Sequence, residues 1–80
     1  MINDRDVYGY KVSGQADAKD GIDYLDLKID REEARVFFEQ ARIKGSAQFE
    51  DDKGKNYTLI KNSDGRYTVE KRASSGGGWF

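Results

Sequence analysis

The 80-residue chain contains no cysteine and no histidine. The first absence removes disulfides, thiolate metal sites and thiol nucleophiles, and it fits a reducing, cytoplasmic compartment. Together the two absences leave nucleophile activation and proton transfer at neutral pH to carboxylates, lysine and tyrosine. The expectation is a chain that is not an enzyme and holds no metal or other cofactor. Also missing is any apolar run approaching membrane-spanning length. The first residues, Met1-Ile2-Asn3-Asp4-Arg5-Asp6, carry acid where a secretory signal has a basic start and an apolar stretch. Neither export by that route nor membrane insertion is expected.

A chain this short makes one domain and buries only about 60–65% of the surface it exposes when unfolded. Its stability is correspondingly modest, about 4–12 kcal/mol. With neither disulfides nor a metal to staple it, locally ideal structure or self-association has to supply the rest, so a homodimer is one expectation. Charged residues make up 36% of the chain but almost cancel, leaving a net charge of −1, which argues against a general polyanion binder. Their distribution is uneven: nine acids face five bases in residues 1–33, and six acids face nine bases in residues 34–80. The domain is expected to be dipolar.

Along the chain, Tyr8, Tyr10 and Val12 alternate through residues 7–13, the period of a half-buried strand. Leu25, Leu27 and Ile29 repeat that pattern in residues 23–30, and Gly14 to Gly21 between them reads as a loop longer than an ordinary hairpin connection. Asp30 followed by Glu33 signals a helix start, since the side chains can accept amide hydrogens left unpaired in the first turn. Ala34, Phe37, Phe38 and Ala41 then form an apolar stripe at i, i+3, i+4 and i+7, with Gly45 placed to end the helix. Both phenylalanines are expected to anchor the core.

Three strands follow, at residues 47–50, 57–61 and 66–72. Asp52-Lys53-Gly54-Lys55 and Asn62-Ser63-Asp64-Gly65 separate them as turns. Parity puts Ala47, Phe49, Tyr57, Leu59, Tyr67 and Val69 on the helix side, and Thr58, Ile60, Arg66, Thr68, Glu70 and Arg72 on the other. The expected fold is α+β in the order ββαβββ: a five-stranded, mainly antiparallel sheet with one helix on one face. Counting strand directions predicts strand five antiparallel to strand one, in the order 2-1-5-4-3 or 2-1-3-4-5. The domain is assigned to residues 1–73, and residues 74–80 to a Gly-rich tail ending in Trp79-Phe80.

Several groups of residues are candidates for function. The paired acids Asp4/Asp6, Asp23/Asp26 and Asp51/Asp52 read as solvated surface rather than catalytic dyads. Asp17, Asp20, Gly21 and Asp23 lack the alternating ligands and closing glutamate of a calcium loop. Lys55, Lys61, Arg66 and Arg72 are interleaved with Tyr57 and Tyr67, a mixture able to track a phosphate backbone, but parity sends both tyrosines into the core. Trp79 and Phe80 place two large aromatics at the end of a tether, either folding back over an exposed edge or the open sheet face near Ile60 and Tyr24, or anchoring in a partner's pocket, where desolvation would concentrate binding energy.

The leading expectation is a protein-binding module that contacts its partner through Asp17, Asp20, Asp23, Asp26, Trp79 and Phe80. Compact, cysteine-free, highly charged chains of this length are typical of phage or mobile-element inhibitors of host machinery, anti-CRISPR proteins among them. In that class the acids would block a basic channel sterically or mimic phosphates. The alternatives are a sheet-surface nucleic-acid binder using Lys55, Lys61, Arg66 and Arg72, and an oligomeric structural component.

Overall fold

A computed structural model describes residues 2–72, with side chains from residue 4 onward. Five strands form one sheet: β1 (Ile2–Val7), β2 (Tyr10–Gln15), β3 (Ser46–Glu50), β4 (Asn56–Lys61) and β5 (Tyr67–Lys71). Their spatial order is β1-β2-β5-β4-β3. Three of the four pairings are antiparallel and β2 runs parallel to β5, so the sheet is mixed and mostly antiparallel. Between β2 and β3 the chain makes a 3-10 turn (Ala16–Ala18), a short helix α1 (Lys19–Asp23), a π turn (Tyr24–Lys28) and the 14-residue helix α2 (Arg31–Lys44).

The second half follows local chemistry closely. Asp30 Oδ1 accepts the Glu33 amide at 2.9 Å, which starts α2, and Gly45 ends it at φ 93 with its amide on the Ala41 carbonyl. Ala34, Phe38 and Ala41 are fully buried, while Phe37 is only half-buried. In β3, β4 and β5 the odd-numbered Ala47, Phe49, Tyr57, Leu59, Tyr67 and Val69 are all buried, as their parity requires. Phe38 stacks on Tyr10 with centroids 4.0 Å apart and meets Tyr67 edge-on at 4.9 Å. A second aromatic group joins Phe49 to Tyr24, Phe37 and Tyr57. Both turns close as expected, the first around Asp51, whose Oδ1 accepts the amides of Lys53 and Lys55.

The first half departs from the expected pattern. Residues 23–30 are not a strand, and residues 14–21 are not an extended loop. Ala18, Ile22 and Leu25 are fully buried at i, i+4 and i+7, a helical spacing, whereas Leu27 is 70% exposed. Burying that stripe outweighs the Leu25/Leu27/Ile29 alternation. The partner strand comes from upstream instead: Val7 pairs with Tyr10, and the chain reverses at Tyr8-Gly9 with φ 52 and 93. Positive φ at both central residues is the geometry that matches the twist of a two-residue hairpin. Because the hairpin lies earlier in the chain, the strand beside β5 is the second rather than the first. Its direction therefore reverses, and the expected antiparallel contact is the parallel one of Val12 with Tyr67 and Gly14 with Val69.

All the helical segments lie on one face of the sheet, sharing a single core with it. None of the described elements covers the other face. Among the described residues no helix is long and apolar enough to cross a membrane.

Candidate functional site

The four aspartates singled out by sequence lie on the helical stretch after β2, three residues apart, and most are neutralised within the domain. Arg5, projecting from β1 toward the helices, reaches both Asp23 and, at 3.4 Å, Asp26. Lys19 Nζ sits 2.9 Å from the second oxygen of Asp23. Partial burial opposes ionisation of Asp23, but hydrogen bonds from Lys19 and Arg5 outweigh it and hold the carboxyl below its ordinary range. Asp20 lies 3.5 Å from Lys55 Nζ. Asp17 is exposed; burial, joined by the charges of Asp51, Asp20 and Asp17, pushes the pKa of the Tyr57 phenol up to about 12. Three of the four acids thus already have cationic partners, which weakens them as phosphate mimics.

The basic residues do not gather into one patch. Lys55 and Lys61 flank and end β4, about 20 Å apart along the strand. Lys61 and Arg66 belong to one end of the sheet, and Lys55 and Arg72 to the other, where the Arg72 amide bonds the Asn56 carbonyl. Arg72 Nε donates to the Tyr57 carbonyl at 3.3 Å, and Arg66 lies 3.9 Å from Asp64. Tyr57 and Tyr67 are buried and offer no ring to a base. Trp79 and Phe80 lie outside the described residues. Among the described residues no group of three acidic, histidine or cysteine side chains is placed to hold a metal ion.

Two further surfaces are open on the domain, and the first was legible in the sequence as the polar, even-numbered side of the sheet. The first is the uncovered sheet face. The strand registers align Asp4, Ser13, Thr68, Ile60 and Ser46 in one row across all five strands, with Thr58 and Gln48 beside it. Ser13, Thr58, Ile60 and Thr68 are half-buried, so the centre of this face is hydroxyl-rich around one isoleucine. Along the β2–β5 seam it holds two open grooves of about 320 and 440 Å³, which share Ser13. Acids and bases alternate around them: Asp4, Asp6, Lys11 and Arg66 at one end, Asp17, Glu70 and Lys71 at the other. The row depends on register across the parallel seam, which no local pattern specifies. The second surface is the outer side of α2, where Val36 and Ile43 are 64% and 69% exposed. Its signal was present in the sequence as two large aliphatics seven residues apart, off the Ala34/Phe38/Ala41 stripe.

No family model, no curated protein and no solved structure matches the chain.

Proposed function

We propose that this chain is a small, non-enzymatic protein-binding module that acts by occupying a partner's surface, in the manner of a steric inhibitor of a larger complex. The observation that supports this most is the uncovered sheet face. It spans all five strands, carries small hydroxylated side chains and Ile60 at its centre, and mixes charges of both signs at its rim. Proteins of mixed surface charge fit such a face, because polar contacts can be paired at the rim and with the central hydroxyls while Ile60 is desolvated. A polyanion does not fit it: acids interrupt the bases, and the aromatic rings lie in the core. The Asp17 end of the seam groove would lie at the edge of the contact.

The test is affinity capture from cell lysate with the wild-type chain and with Ser13→Arg and Ile60→Arg, each of which places a long side chain in the central row. A partner retained by the wild type and lost with both variants, at unchanged melting temperature, is the expected result. Retention by both variants, or a nucleic-acid gel shift that weakens steeply with salt, would defeat the proposal.

A further inference from the structure

We infer that α2 is a self-association surface, binding a second copy of this chain in antiparallel orientation. Val36 and Ile43 are two of the three large hydrophobic residues exposed among the described residues. Seven residues, or about 10 Å, separate them along the helix, on the side turned away from the buried Ala34, Phe38 and Ala41. Gln40, also exposed, lies between them.

The charges at the ends of this stripe select the occupant. Glu33 stands in the first turn of α2 and Lys44 in the last, and neither has an ion-pair partner among the described residues. A two-fold axis beside Gln40 sets Val36 against Ile43 of the second copy and brings Glu33 within reach of Lys44 of the second copy, each contact occurring twice. Parallel pairing would instead oppose Glu33 to Glu33 and Lys44 to Lys44. The surface is therefore complementary to itself in one orientation only. Two helices meeting along such a short apolar stripe make a weak interface. The pair leaves both uncovered sheet faces pointing outward, so a dimer would engage a repeated or two-site partner with avidity.

Sedimentation velocity of the full chain from about 10 µM to 1 mM, the range suited to a small transient interface, tests this. The wild type is expected to shift from monomer toward dimer, and Val36→Ser/Ile43→Ser to remain monomeric. Both residues are exposed, so the double variant keeps its core, and its melting curve verifies that. Glu33→Lys and Lys44→Glu are each expected to weaken association about tenfold. An equimolar mixture of the two recovers it, because every introduced charge then faces an opposite one. A wild type that stays monomeric at the highest concentration, a dimer unaffected by Val36→Ser/Ile43→Ser, or a mixture that recovers nothing would overturn the inference. Ser13→Arg and Ile60→Arg leave this association intact, so a failed dimer and a failed sheet-face partner give separate readouts.

Discussion

Replacing Gly21 by alanine reverses the usual sign of a glycine-to-alanine change in a helix. Within a helix the exchange ordinarily gains about 1 kcal/mol, because alanine loses less backbone entropy on folding. Here α1 lies directly on the Tyr57 ring: a Cβ on Gly21 would stand 2.7, 2.8 and 2.9 Å from Cδ1, Cγ and Cε1. Unstrained carbon–carbon contacts lie near 3.5–4.0 Å, so either the helix or the ring must retreat by most of an ångström. The ring cannot retreat freely, since Tyr57 is fully buried and packs against Phe49 with centroids 5.5 Å apart. Overpacking of this kind costs about 1–3 kcal/mol, and three short contacts to a confined ring place it at the upper end. After the propensity gain the net loss is about 2 kcal/mol, a fall in melting temperature of roughly 8–16 °C for a domain of this size. Thermal unfolding followed by circular dichroism measures it directly. In a Tyr57→Leu background the same exchange should cost much less, since the obstructing ring is gone. A Gly21→Ala protein as stable as the wild type, or an equal cost in both backgrounds, would refute the packing of α1 on Tyr57.

Tyr8→Phe removes the hydroxyl that bonds the Ile29 carbonyl at 2.9 Å and ties the hairpin tip to the start of α2; a loss of about 1 kcal/mol in urea unfolding is expected, and no loss would mean that the tip is not held there. Asp23 gives an acid-side prediction: its folded pKa lies below the 3.8 of an unperturbed aspartate, so its contribution is full above that value and is lost as pH falls through the lower, folded one. The melting temperature of Asp23→Asn should therefore converge on that of the wild type as pH falls through the acid range, and a gap that stays unchanged down to the acid limit of folding would contradict the Arg5/Lys19 pairing.

The acid pairing also illustrates what a sequence can and cannot disclose about a surface. Asp17, Asp20, Asp23 and Asp26 are visible as a run of carboxylates, but apart from the local Lys19–Asp23 pair the neutralisation of Asp20, Asp23 and Asp26 depends on Arg5 and Lys55, each on a strand or turn far along the chain. The same holds for Lys55, Lys61, Arg66 and Arg72. They look close together along the chain, yet the length of β4 separates Lys55, just before the strand, from Lys61, its last residue.

What the amino-acid order determined by itself is whatever rests on neighbours a few residues apart. That covers the Asp30 cap and Gly45 stop of α2, the buried Ala34/Phe38/Ala41 stripe, the two tight turns and the inward parity of β3, β4 and β5. These are backbone hydrogen-bond and periodicity effects, complete within one element. Tertiary structure decided the rest. Residues 16–28 carry both a helical stripe and a strand-like alternation, and covering Tyr57 with Gly21 and closing the core with Ile22 and Leu25 selected the helix. That choice left β2 without a downstream partner, so Ile2–Val7 supplied one, and β5 joined β2 in parallel. Such choices compare burial across the whole chain, and no local window contains the residues that decide them.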